Sequence, residues 1–266
     1  ARGSLCLDTH RQRRGQPPEE GRAMKIRHML TAAAIVITGA AGWGVWNRWF
    51  TERADPSAEI YTVRGIDISA HNGNVDFHAL RRQGVTFAYI KATEGTDFID
   101  RRFVDNARGL LAGNIPAGAY HFFRFDTDGE MQAWNFIRAI EGRGFRLPPT
   151  VDLEEWGNDE TIPTARVRTS LRAFMRVLSE EGYHPVIYTN KDGYNRFVRH
   201  HFDEYPLWIC SFSDPPLPAD AASDSIGWHI WQFSHRGTID GIDGYVDLNT
   251  IHPASPLLKA IDSKTI

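Results

Sequence analysis

A chain of 266 residues is long enough for one large α/β domain with a full core and a short additional segment. Its net charge of −3 leaves no electrostatic case for nucleic acid as a partner. Two distant cysteines, Cys6 in a polar leader and Cys210 at the end of an apolar run, give no disulfide framework and leave Cys210 as a buried free thiol.

The front of the chain is a separate region. Residues 1–23 are rich in Arg, Gln and Pro without apolar periodicity, and read as a disordered leader. Met24 looks like a natural start. Residues 24–50 read as a transmembrane signal anchor built on the apolar run 29–46, whose length is at the lower limit for a span. Arg22, Lys25 and Arg27 precede that run, whereas Arg48 and Arg53 after it are balanced by Glu52, Asp55 and Glu59. The charge bias puts the N-terminus in the cytoplasm and the rest outside. Trp43, Trp46, Trp49 and Phe50 continue as an interfacial aromatic belt. A cleaved signal peptide, with small residues at Gly39-Ala40-Ala41, is the alternative, and it too exports the domain. Residues 51–62 form a polar linker to a domain spanning 63–266.

Strands and helices then alternate. Strands are expected at 64–69, 87–92, 115–122, 150–154 and 186–189. Helices are expected at 76–83, 102–112, 127–141, 164–181 and, in short form, 192–198. The helix at 127–141 carries Met131, Trp134, Ile137 and Ile140 near helical spacing. That at 164–181 is the clearest, with Val167, Leu171, Phe174 and Leu178 on one face and Gly182 after it. Three further strand-like runs, 207–210, 228–233 and 245–248, follow with little room for helices between them. Five βα units imply parallel strands, and eight strands close a small barrel. The expected fold is an irregular α/β TIM-like barrel. An open doubly wound sheet is the alternative, disfavoured because no glycine-rich phosphate loop follows the first strand.

In such a barrel the site lies at the C-terminal strand ends. Asp152-Leu153-Glu154 ends the fourth strand, and residues two apart in a strand face the same way. Paired carboxylates are the apparatus of glycoside hydrolysis. Asp67 ends the first strand, Lys91 and Glu94 the second, and Tyr120 the third. Tyr188 ends the fifth, Trp208 lies in the sixth, Gln232 in the seventh and Asp247 in the eighth. If the barrel closes, Asp67, Asp152, Glu154 and Asp247 converge on one mouth. Crowding should then raise at least one carboxyl pKa and leave a protonated acid near neutral pH.

These residues carry a resemblance. Gly65-Ile66-Asp67-Ile68-Ser69, Tyr89-Ile90-Lys91-Ala92-Thr93-Glu94-Gly95-Thr96, Gly118-Ala119-Tyr120-His121-Phe122, Asp152-Leu153-Glu154, Trp231-Gln232-Phe233 and Gly244-Tyr245-Val246-Asp247-Leu248-Asn249 occur in order. Over residues 63–252 the chain resembles glycoside hydrolase family 25. These lysozymes (muramidases) cut the β-1,4 bond between N-acetylmuramic acid and N-acetylglucosamine in peptidoglycan. The resemblance implies a barrel of five βα units and three further strands, with no cofactor. It implies Glu154 as general acid and Asp152 as its partner, with net retention. Asp67 and Asp247 then shape the field and bind substrate, and Lys91, Tyr120 and Tyr188 line the sugar cleft. Cys210 departs from it, standing where a small residue is common.

The expected partner is the glycan strand of peptidoglycan, with membrane contact through residues 29–46, no nucleic acid, and a monomeric enzyme. A sugar-binding barrel without catalysis is the competing class, and the presence of both Asp152 and Glu154 argues against it. Metal-dependent hydrolysis would draw on His71, His121, His229 and His235, but no H-x-H or H-E-x-x-H spacing occurs. His121 alternates with Tyr120 and Phe122 and so faces the other side of its strand. Ser69 and Ser211 lack a nucleophile-elbow context. Trp134 and Phe174 read as core; Trp208 and Trp231 read equally as core or as sugar platforms.

Overall fold

The computed structural model describes Pro56, residues 58–212 and residues 227–262. The expected leader and the anchor or signal peptide, including the apolar run 29–46, lie outside the described residues. Among the described residues no helix is long and apolar enough to cross a membrane.

Nine strands form one sheet: β1 (Arg64–Ile68), β2 (Phe87–Glu94), β3 (Phe98–Ile99), β4 (Ala117–Phe122), β5 (Thr150–Asp152), β6 (Val186–Asn190), β7 (Leu207–Cys210), β8 (Ile230–Gly237) and β9 (Val246–Ile251). Their order is β1-β9-β8-β7-β6-β5-β4-β2-β3, and β1 also pairs with β2. That pairing closes eight strands into a barrel and leaves β3 as a two-residue hairpin on β2. This is the expected irregular α/β TIM-like barrel. β9 departs from the expected run of parallel strands, because it is antiparallel to both β1 and β8. The fourth strand is shorter than expected: Leu153 N still donates to Tyr188 O at 2.9 Å, but Glu154 lies on the loop beyond.

Among the described residues the four longest helices are α1 (Phe77–Arg82), α2 (Phe103–Ala112), α3 (Gly129–Ile140) and α4 (Thr164–Glu180). Their starts are set locally. Asp76 Oδ1 accepts from the His78 and Ala79 amides at α1, and Asp128 Oδ1 from the Met131 amide at α3. In α4 the expected stripe of Val167, Leu171, Phe174 and Leu178 is fully buried. In α3 the expectation fails at Trp134, which is 42 % exposed, and at Met131, which is exposed further still. The stripe that packs is Ala133, Phe136, Ile137 and Ile140. Glycine is required at the head of α3, where a Cβ on Gly129 would sit 1.8 Å from Ser170 O of α4. The expected short helix resolves into one α-turn, Lys191–Gly193, and a π-turn, Tyr194–Val198.

Strand alternation divides the apolar residues into two sets. Ile66, Ala88, Ile90, Val151 and Ile187 face the helices. Phe87, Tyr89, Val186, Trp208, Ile230 and Ile251 form a separate cluster that fills the barrel. There the Trp208 ring lies 4.7 Å from Tyr89 and 4.9 Å from Tyr188, centre to centre. Gly118 makes room on β4, since a Cβ there would sit 2.3 Å from the Tyr89 ring. The plug of rings is the floor on which the polar mouth rests.

Candidate active site

One cavity of about 470 Å³ opens at the C-terminal ends of the parallel strands. Asp67, Lys91, Tyr120, Asp152, Glu154, Tyr188, Trp208, Gln232 and Asp247 all line it, so every site residue expected from the sequence is gathered in one place. Asp247 reaches it by a different route than expected. It opens β9 rather than ending it, and the reversal of that strand brings its start to the shared rim, opposite Asp67. A second hollow, of about 560 Å³, lies where Leu147, Pro149 and Pro206 precede β5 and β7. It carries no carboxylate in its lining.

The inner wall is a chain of hydrogen bonds centred on Asp67. Its Oδ2 accepts from Gln232 Nε2 at 2.9 Å and from Asn249 Nδ2 at 2.7 Å. Gln232 Oε1 accepts from the Tyr188 hydroxyl at 2.9 Å, and Asn249 Oδ1 from Trp208 Nε1 at 2.9 Å. Each amide is thereby fixed in orientation, because its oxygen faces one donor and its nitrogen the Asp67 carboxyl. Asn249 was not singled out as a site residue, although it stands two residues after Asp247 in the same strand and so on the same face. Trp231 faces the other way, with its Nε1 donating to Ser211 O at 2.7 Å, and is core.

The outer wall carries the cations. Lys91 Nζ donates to Glu94 Oε2 at 2.7 Å and lies 4.9 Å from the centre of the Phe122 ring. Arg124 Nη1 lies 3.6 Å from Glu94 Oε1 and donates to Gly157 O at 2.6 Å. Asn158 braces the loop after β5. Its Nδ2 donates to Glu154 O and Phe123 O, while its Oδ1 accepts from the Phe125 amide. The backbone of the Glu154 loop is therefore tied to the neighbouring β4 loop. Arg124, Trp156 and Asn72 line the cavity without having been read from the sequence, and Ser69, weighed there only as a nucleophile, joins them.

Electrostatics follow from this crowding. Burial raises the Glu154 carboxyl to about 7, helped by the charges of Asp67 and Glu155 and opposed by Lys91. Burial holds Asp152 well above the usual carboxylate range, with the Glu154 charge second. Asp67 is raised by burial against the pull of its hydrogen bonds from Asn249, Gln232 and Asp247. Asp152 Oδ1 is buried and makes no hydrogen bond within the protein. Burial also pushes the hydroxyls of Tyr120 and Tyr188 upward, so both remain neutral donors. Cys210 is a free thiol, half-buried rather than fully so, raised first by burial.

The histidines do not gather. His71 lines the mouth. His121 is buried outside the barrel, as its alternation predicts, with Nδ1 2.7 Å from Thr93 Oγ1 and Nε2 3.0 Å from Gln132 Oε1. Burial depresses it to about 3, so it is a neutral packing group against Phe136 and Phe174. His229 sits at the start of β8, away from the mouth, accepting from the Leu207 amide. No cluster of three potential metal ligands occurs among the described residues.

The family model for glycosyl hydrolases family 25 matches residues 66–242. Lysozyme M1 of Streptomyces globisporus is 31% identical over 229 residues, covering 80% of this chain and 76% of its own. The N,O-diacetylmuramidase of Chalaropsis sp is 34% identical over 214 residues, covering 70% of this chain and 96% of its own. Among solved structures, a family 25 glycosyl hydrolase from Bacillus anthracis superposes with a TM-score of 0.69 at 30% identity. It covers 76% of this chain and 94% of that one.

Proposed function

This chain belongs to family 25 of the glycosyl hydrolases, and from that membership we propose that it is a lysozyme. Its substrate is the glycan strand of peptidoglycan, cut at the β-1,4 bond between N-acetylmuramic acid and N-acetylglucosamine. The observation that carries this reading is the pairing of a carboxyl raised to about 7, Glu154, with a buried carboxyl whose Oδ1 has no protein partner, Asp152.

Glu154 is the general acid. A carboxyl with a pKa near 7 keeps its proton in neutral solution and delivers it to the leaving oxygen as the glycosidic bond stretches. Asp152 and Glu154 approach the sugar from the same side, because they alternate with buried Leu153 on one segment. That is awkward for a carboxylate attacking opposite the leaving group. The 2-acetamido group of the substrate can attack from the far face instead. Asp152 Oδ1 then accepts the acetamido N–H and holds that group in line for the attack. Water opens the resulting ring with Glu154 as base, giving net retention. Asp67 and Asp247 keep the mouth negative, which favours a cationic transition state. Lys91, Tyr120, Tyr188, Trp208 and Gln232 shape and line the sugar cleft.

Residues 24–50 serve as the export segment, so that residues 63–266 meet the wall outside the cytoplasm. Digestion of purified peptidoglycan followed by reduction and mass spectrometry tests the bond cut. N-acetylmuramic acid is expected at the new reducing ends; N-acetylglucosamine there, or no new ends, overturns the reading.

A further inference from the structure

Two large aromatic side chains stand out in water, one in the lining of the mouth and one beside a residue that lines it. Trp156 is 78 % exposed and lines the cavity two residues after Glu154. Tyr245 is 58 % exposed two residues before Asp247, and its carbonyl accepts from Nδ2 of Asn72, a cavity-lining residue, at 3.3 Å. Neither stands free to collapse. The Trp156 turn is held through Gly157 O by Arg124 and through Asn158 by β4. The Tyr245 ring has the Arg236 guanidinium 5.3 Å from its centre.

The barrel fixes how the two stand to each other. In the closed ring β1-β9-β8-β7-β6-β5-β4-β2, the strand entered from Tyr245, β9, is four places from the strand that leads to Trp156, β5. Four places in eight is the opposite side. The segments that carry the two rings therefore leave the barrel on opposite sides of the mouth. Rings left in water gain apolar burial only when a ligand covers them.

Building on the lysozyme reading, we infer that Trp156 and Tyr245 are the two end platforms of the glycan cleft. Each stacks against the apolar face of a pyranose, so that a strand of several sugars lies across Glu154. The consequence is a preference for long strands set by binding rather than by chemistry. Burying roughly 60 Å² of ring face is worth about tenfold in affinity.

Trp156→Ala, Tyr245→Ala and Trp156→Phe are compared on soluble uncrosslinked glycan strands of four and of eight or more sugars. Each Ala variant should raise KM on long strands about tenfold with kcat within twofold of wild type. The tetrasaccharide, too short to reach both rings, should feel at most one of the two variants. Trp156→Phe should recover most of the loss, and thermal midpoints should stay unchanged because both side chains are exposed. The same substitutions placed in a Glu154→Gln background are read by strand binding alone, which needs no turnover. Unchanged binding there overturns the platforms even if wild type cuts normally. Weakened binding supports them even if wild type proves not to cut, an outcome that would instead overturn the lysozyme reading.

Discussion

Asp67 and Asp247 stand directly opposite each other across the antiparallel pair of β1 and β9, with a hydrogen bond between their side chains. Asp67 is also the leading charge that raises Glu154. Asp67→Asn removes that charge, so Glu154 loses its proton at lower pH. The basic limb of the kcat/KM profile should move acidwards by roughly half a unit to one unit. A limb that stays in place would show that Asp67 does not tune the acid.

Glu154→Gln preserves shape but has no proton to give. Turnover of peptidoglycan should fall by roughly 10²–10⁴-fold, while the protein still cosediments with the wall. Activity within a few-fold of wild type rejects Glu154 as the acid.

The same residue leaves a mark on stability. Its carboxyl holds a proton more tightly folded, at about 7, than at its ordinary value of 4.5. The folded state therefore binds more protons than the unfolded chain between those values, and stability falls as pH rises through that window. Glutamine stays neutral throughout. The thermal midpoint of Glu154→Gln should match wild type at pH 4 and exceed it by roughly 7–14 °C at pH 8. Equal midpoints at pH 8 would mean that the buried charge costs nothing.

Participation of the acetamido group predicts the stereochemistry of the first product. Proton NMR of a fresh digest should show the β-anomer before mutarotation sets in. Early α-anomer excludes retention, and a glycosyl ester trapped on Asp152 would replace participation with direct attack by the protein.

Gly129→Ala should drive α3 away from α4, because the added carbon meets the Ser170 carbonyl, which cannot rotate aside. The expected cost is roughly 1–3 kcal/mol, read by urea denaturation with kcat unchanged. A neutral result would show that the two helices separate without penalty.

The site was legible because a period of two survives any direction of travel. Asp152 and Glu154, Asp247 and Asn249, and Tyr120 against His121 all fall on the faces their spacing requires. The reversal of β9 was not legible for the same reason, since alternation carries no arrow. Trp134 misled for a geometric reason: Met131, Trp134, Ile137 and Ile140 advance by three each time, and 3.6 residues per turn make such a row drift around the helix. The row that packs mixes steps of three and four. β3 is two exposed residues, too short for any period. The clamps of Asn158 on Phe123 and of Arg124 on Gly157 join segments far apart in sequence, and nothing local announces them.

The seam between β1 and β9 also governs when the molecule becomes an enzyme. The first barrel strand has no neighbour on that side until the last one has been made, and Asn249, which fixes Asp67, lies 182 residues after it. A chain emerging from its amino end carries Glu154 long before it carries the far half of the mouth. The ring stays open until the final strand takes its place between β1 and β8. The cleft is thus completed only when the last barrel strand pairs on both of its edges.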